Sequence, residues 1–547
     1  MHVMLKKQRL LFILCLLLVQ STYAQVYNIK KYGAVADSKT INTKAIQQAI
    51  DLCSKTGGQV LIPQGTFVSG TLHMKSNVEL HVNKGGVLKG SPSFKNYPDN
   101  RVYFENAFTH DTKGKSFANK AFIFAEGLTN ISFTGAGTID GSGDSPEFDL
   151  GNDDTPQSRL RPCMLLIVNC KNVKVTDLTM SNSAYWMQNY LGCDGLKLQR
   201  LTIYNQSNYN QDGIDIDARN VLVENCKIDV DDDGICFKSH NRTRIVENVV
   251  VRNCTIGSNC NAIKFGTMSI GGLKNVSISN CTIKKASADH IRHWQRSLQF
   301  IGLPATVISG IALESVDGAE VENITIANIN MTDVQTPIFI VLGNRGRKPV
   351  GDKSFYDTTS NAAVKNVDAA GHIKHILIKD VTAISYSKMT SSITAFPGRY
   401  VEDVELRNIS LNNMGEGRLA EAAITLPENP GAYPENRMYG QVYPASGLFI
   451  RHVKGIKITN LKSVVRKPDY RPVLLLNDVH SAVITDPNLQ APAGGAAVVA
   501  LFSSKNIAID RPVLSRTQGP LIRISQMPVQ EVRVSGFNNY TGWLMVD

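Results

Sequence analysis

Short runs of alternating apolar and polar residues recur along most of the chain, each closed by an Asn or Gly and followed by a second run. NVLVENCKI begins at Asn220, NVVVRNCTI at Asn248 and NVSISNCTI at Asn275. Related units begin at Asn172 (NVKVTDLTM), Gly195 (GLKLQRLTI), Ala319 (AEVENITIANINM), His372 (HIKHILIKDVTA), Val401 (VEDVELRNISL) and Val453 (VKGIKITNLKS). A period of two means a strand with one buried face. A unit of roughly 25 residues cannot bury that face alone, but stacking on its copies can. The pattern predicts an all-β chain wound as a right-handed parallel β-helix, with β-branched residues inward and Asn at the bends. TKAIQQAIDLCS, after Asn42, places Ile46, Ala49, Ile50 and Cys53 at helical spacing. It predicts an amphipathic helix capping the first coil, with Asn42 as its N-cap.

Length changes little in this picture. By itself, 547 residues would suggest several domains, but a solenoid core grows linearly, so residues 25–547 are expected to form one unit. The first 24 residues read differently. Lys6 to Arg9 precede the apolar run Leu10 to Val19, with small residues before a cut after Ala24. That is a secretory signal peptide, its apolar core too short to span a bilayer. The mature protein is expected to be periplasmic or secreted, free of the membrane, and a monomer as solenoids commonly are. Cys170, Cys193, Cys226, Cys254 and Cys281 occupy recurring repeat positions. They are expected to stack as buried thiols and not to cross-link. The charge of +11 comes without a basic arm or interleaved aromatics. No nucleic-acid partner is therefore expected, and the diffuse positive balance fits an acidic polymer only weakly.

The chemistry concentrates in two stretches. YNQDGIDID carries Asp212, Asp215 and Asp217, and VDDDGICFKS carries Asp231, Asp232 and Asp233. Asp212 precedes Asp232 by 20 residues and Asp233 by 21. One coil rises by one strand spacing, so the three carboxyls should crowd one wall and raise at least one pKa. An acid beside ionised carboxylates suits glycosidic cleavage. Calcium binding and plain Asp-Gly turns are the competing readings. Strict alternation would send Asp232 and Asp233 to opposite faces, so a bend is expected at Asp231 to Gly234.

The ordered motifs KYGAVADS (Lys31), GAGTIDGSG (Gly135), RPCMLLIVNCKNV (Arg161), SNSAYWMQ (Ser181), NQDGIDID, DDDGICFKS and YPENRMYGQVYPASGLFIRHV (Tyr433) resemble glycoside hydrolase family 28, the polygalacturonase group. The resemblance covers most of the chain. It implies a pectin-lyase-like right-handed β-helix that hydrolyses pectic glycosides with inversion, without metal or cofactor. It makes Asp232 the general acid, with Asp212 and Asp233 activating water. The expected partner is a plant cell-wall polysaccharide or oligosaccharide.

Two family motifs are missing. Cys260 stands where a His is expected, and Ala312 and Glu314 where the Arg and Lys that grip a galacturonate are expected. A Glu there should repel a uronate and accept hydrogen bonds from neutral hydroxyls. The substrate is therefore expected to be a pectic or related glycoside other than homogalacturonan, with rhamnogalacturonan and exo action among the options. Candidate substrate contacts are Glu314, Lys238, Lys264 and Trp186, together with Arg292, His293 and Trp294 from the loop Ser287 to Phe300. Arg451 and His452 fit a structural use better. The segment Tyr97 to Lys120 could close one end of the groove. A β-helix polysaccharide lyase and a non-catalytic glycan-binding β-helix are the alternatives.

Overall fold

The computed structural model describes residues 25–100, 120–149, 160–241, 244–287, 306–345, 370–514, 519–536 and 543–547. Residues 1–24, which the sequence suggests as a signal peptide, the loop carrying Arg292, His293 and Trp294, and most of Tyr97 to Lys120 lie outside them.

Among the described residues the chain is mostly β, with one α-helix, Thr43–Cys53. Every strand pairing is parallel, and partners lie roughly one repeat apart in sequence. The alternation is read out directly. Ile214 pairs with Ile235, Ile235 with Ile263, Ile263 with Ile311 and Ile311 with Ile338. This isoleucine column faces the main core, where all five are buried. The next residue on four of these strands, Asp215, Cys236, Lys264 and Ala312, forms a second column on the opposite face.

Asparagine sets the corners. Asn220, Asn248, Asn275 and Asn323 all have φ between 56° and 57°, the left-handed region that Asn tolerates best after Gly. Each side-chain amide of the next repeat donates to the carbonyl of the one before: Asn248 to Asn220 at 3.2 Å, Asn275 to Asn248 at 3.4 Å, Asn323 to Asn275 at 3.1 Å. A second ladder joins Asn225, Asn253, Asn280 and Asn328. The same residue type thus fits the turn and ties the stack.

The cysteines stack in two columns, not one. Cys170 neighbours Cys193, and Cys226, Cys254 and Cys281 form a separate run, as the register of the strands beside them fixes. All five are buried and free. In the native protein they should react with a thiol reagent only after denaturant is added; fast labelling of several sites in buffer would contradict this packing.

Helix Thr43–Cys53 buries Ile46, Ala49, Ile50 and Cys53, the stripe the spacing gives. The capping role of Asn42 needs correction. Asn42 sits at the N-cap, but its side chain makes no capping bond. Its carbonyl accepts from Val35 N–H at 2.7 Å and its amide donates to Val35 and Thr40 carbonyls. The preceding loop takes the side chain because its own backbone groups lack ladder partners. No described helix is long and apolar enough to cross a membrane.

Candidate active site

Two successive turns deliver the acidic residues. Asp212 ends the turn before strand Ile214–Glu224, and Asp231 to Gly234 link strands Lys227–Val230 and Ile235–Ser239. The expected bend is there: residues 231–234 leave the ladder, so Asp232 and Asp233 escape strict alternation. The stacking is tight. Gly213 N–H donates to Asp233 O at 2.9 Å and Gly234 N–H to Asn261 O at 2.8 Å. A Cβ on Gly213 would lie 2.6 Å from Gly234 O, and one on Gly234 would lie 2.6 Å from Ala262 O. Glycine follows Asp212 and Asp233 because backbone approaches backbone there.

Asp212 therefore stacks on Asp233, which stacks on Asn261, while Asp232 lies beside Cys260. All three carboxyls are nearly buried, Asp232 being 9% exposed. Their environments differ. Asp233 accepts from Lys264 Nζ at 2.9 Å through one oxygen and from Asn261 Nδ2 at 2.9 Å through the other. Burial pushes its pKa up, but Lys264, Lys238 and the Asn261 bond outweigh burial, and the net shift is downward. Asp232 accepts only the N–H of Asp233, at 2.8 Å. Burial first, then the Asp233 charge, raise its pKa to about 7 against the pull of Lys264. Asp212 has a buried oxygen, Oδ1, with no partner. Burial, then Asp232 and Asp215, push it well above the carboxylate range. The surroundings thus favour the ionised form of Asp233 and the protonated forms of Asp212 and Asp232. Asp231, the odd acid, accepts from Asn259 Nδ2 at 2.9 Å and braces the bend.

The candidate cations are already engaged. Lys238 meets Asp215 at 3.1 Å, donates to Cys236 Sγ at 3.3 Å and lies 5.1 Å from the centroid of Trp186. Trp186 stacks on Tyr185 with centroids 5.0 Å apart, and the Arg161 guanidinium lies over Tyr185. With Tyr185 stacked on it and Lys238 over the ring, Trp186 has little free face for a sugar. Lys264 is held by Asp233. Arg345 forms a two-pronged pair with Asp317 at 2.7 and 2.5 Å.

Glu314 is fully buried, and neither carboxyl oxygen has a hydrogen-bond partner. Burial raises its pKa to about 8, with Lys264 acting against it. The expectation that Glu314 repels a uronate is thereby corrected: in its neutral form it carries no charge to do so. Lys238, Lys264 and Arg345 each already pair with a carboxylate of the protein.

Sequence reasoning missed Tyr433 and Asp215. Tyr433 is 57% exposed; its hydroxyl lies 3.5 Å from Lys264 Nζ, and Lys264 and Arg345 lie 5.6 and 5.9 Å from its ring centroid. Both residues stand in the quoted motifs, but 169 residues separate Tyr433 from Lys264, and only the folded chain joins them. Arg451 and His452 lie elsewhere. Arg451 donates to the carbonyls of Leu426 and Pro427, and His452 bridges Asp478 and Glu428.

Among the described residues, two clusters bring metal-ligating atoms within 4.8 Å: Asp232 with Asp233 and Cys260, and Glu320 with Glu322 and His372. Neither donor set suits a metal. A cation at the first would displace the Lys264 ammonium and face a thiol that burial and two carboxylates keep protonated. The second is neutralised by Lys274 and Lys374.

Comparison with known proteins points to one family. Residues 53–301 match glycosyl hydrolases family 28. The chain is 28% identical over 255 residues to an exo-poly-alpha-D-galacturonosidase of Dickeya chrysanthemi, covering 39% of this chain and 42% of that one. It is 26% identical over 406 residues to a polygalacturonase of Juniperus ashei, covering 73% and 70%. The chain thus spans well under half the length of the Dickeya relative. Among solved structures, a hyperthermoactive exopolygalacturonase from Thermotoga maritima shares the fold with a TM-score of 0.54 at 21% identity, covering 71% of this chain and 87% of that one. Over residues 53–301 the chain matches glycosyl hydrolases family 28 and is similar to polygalacturonases, with Cys260 inside that span, and Ala312 and Glu314 beyond it, where the resemblance expects His, Arg and Lys.

Proposed function

We propose that this protein is an exported, metal-independent glycoside hydrolase acting on a pectic or related plant polysaccharide, with residues 25–547 forming one right-handed parallel β-helix that works as a monomer. The observation that carries the reading is the unequal setting of adjacent carboxyls: Asp233 accepts from Lys264 and Asn261 at 2.9 Å each, which favours its ionised form, while burial and the Asp233 charge push Asp232 up to about 7. Asp232 gives its proton to the leaving glycosidic oxygen. Asp233 takes one from the attacking water, and the neutral Asp212 carboxyl orients that water by hydrogen bonding.

Inversion is the stereochemistry the resemblance implies, and it places a demand on the site. Oxygens of Asp232 and Asp233 lie within 4.8 Å, closer than the roughly 6.5–9.5 Å that ordinarily leaves room for water between acid and base. The water must then be held by Asp212 and Asp233 on the side away from Asp232.

Exo action has its own support. The outer column beyond Lys264 is covered: Ala312, Phe339, Phe449 and Leu475 pack against Leu426, Met438, Tyr439 and Tyr443 of the segment 419–447, and Tyr433 of that segment reaches Lys264. A polymer meets a wall on that side, so the groove continues in one direction only. The engaged cations favour a neutral sugar, or a uronate bound without the usual cation grip, at the cut.

The test is a product screen on rhamnogalacturonan, homogalacturonan and neutral plant oligosaccharides, with the anomer followed by NMR. Release of one small product of inverted configuration is expected, with homogalacturonan a poor substrate. A ladder of sizes would overturn exo action, a retained anomer the assigned roles, and efficient cutting of homogalacturonan the reading of Lys238, Lys264 and Arg345.

A further inference from the structure

The outer column does not end at the covering segment. From Lys264 it runs through Ala312, Phe339, Ser392 and Phe449 to Leu475. Phe449 is four strand steps from Lys264, which is roughly 19 Å at 4.8 Å per step. There, on the far margin of the segment, an open cavity of about 760 Å³ lies over the sheet, solvent at its mouth included.

Its chemistry is mixed in a specific way. The half-buried Phe502 supplies the accessible apolar part of the lining, with Phe449 and Leu475 almost fully buried beside it. Polar groups line the rest, and two lack partners. The Asn477 side-chain amide makes no hydrogen bond among the described residues, and the buried Nε of Arg451 has no acceptor. Arg451 is nevertheless fixed in place, because its other nitrogens donate to Leu426 O and Pro427 O at 2.9 Å each. Charge is balanced: Glu428 lies 3.3 Å from Arg451, and Arg523 holds Asp547 at 2.6 Å. An anion therefore finds no unmatched cation here. The exposed part of Phe502, bordered by the Asn477 amide and the Glu428 carboxylate, instead matches a ring with a C–H face and a hydroxyl edge.

We propose that this cavity is a second glycan-binding site, holding one pyranose residue of a polysaccharide chain at a distance from the cleavage site. Because the segment 419–447 stands between the two, the site grips a different stretch or branch of the polymer from the one being cut. Its effect is to raise the local concentration of substrate at the aspartates.

The test uses the full chain carrying Asp232→Asn, so that binding is read without cleavage and does not depend on the hydrolytic assignment. Mobility is measured in native gels containing soluble rhamnogalacturonan or a neutral plant glucan. Adding Asn477→Leu or Arg523→Glu should weaken retardation by about tenfold each, the worth of one to two hydrogen bonds, with Tm unchanged as the check on folding. Retention in only one gel identifies the polymer. Equal retardation of parent and both variants, or no retardation of the parent in either gel, overturns the site, whatever the hydrolysis assays return.

Discussion

Asp232→Asn should remove nearly all turnover while raising the melting temperature above pH 7. The first effect follows from losing the proton donor, which contributes on the order of 10²–10⁴-fold or more where no other acid can replace it. The second follows from linkage. Asp232 has a folded pKa of about 7 against 3.8 for the free group, so the folded protein holds its proton more tightly than the unfolded chain does. Stability from this group is full below pH 4 and is lost as pH rises through 7. Asn cannot ionise, so the variant escapes that loss: its Tm should match wild type at pH 4 and exceed it at pH 8. Differential scanning calorimetry at both values, beside a turnover assay, checks the pair. Full activity would end the assignment of Asp232, and a Tm that falls at pH 8 would end the account of its burial.

Lys264→Met carries the next largest effect. Lys264 lowers the pKa of both Asp232 and Asp233, so its removal raises both. Asp233 must be ionised to take a proton, and activity is lost as pH falls through its pKa; raising that pKa moves the acid limb to higher pH. Asp232 must be protonated, so the basic limb moves up as well. The whole profile of kcat/KM should shift upward, and the rate at pH 5 should fall by about 100-fold or more. The variant also leaves Asp233 buried without its cation, which ordinarily costs about 3–5 kcal/mol unless the group takes up a proton. An unshifted acid limb would show that Lys264 does not set the charge of Asp233.

The same two residues show how far pattern reading reaches. The meeting of Asp212 with Asp232 and Asp233 was legible from spacing, because 20 or 21 residues is close to one repeat. Their division of labour was not legible. It depends on Asn261 and Lys264 approaching Asp233 from the next repeat, while Asp232 meets Cys260 and no cation. Glu314 illustrates the opposite error. From sequence it is an acid and therefore charged, but full burial without a partner makes the neutral form the stable one, and the inference drawn from its charge fails. Asn42 is a smaller case: residue type and position both suggest a cap, yet a competing loop takes the side chain.

By itself the sequence determined the stack. Period-two alternation, Asn at left-handed corners and recurring thiols each act locally and repeat, so each copy fixes the next by the same contacts. Tertiary structure alone decided the electrostatics and the reach of the site. Tyr433, Arg345 and the covering segment 419–447 come from distant repeats, and a pKa is set by every charge and dipole within a few ångströms, whichever part of the chain supplies it.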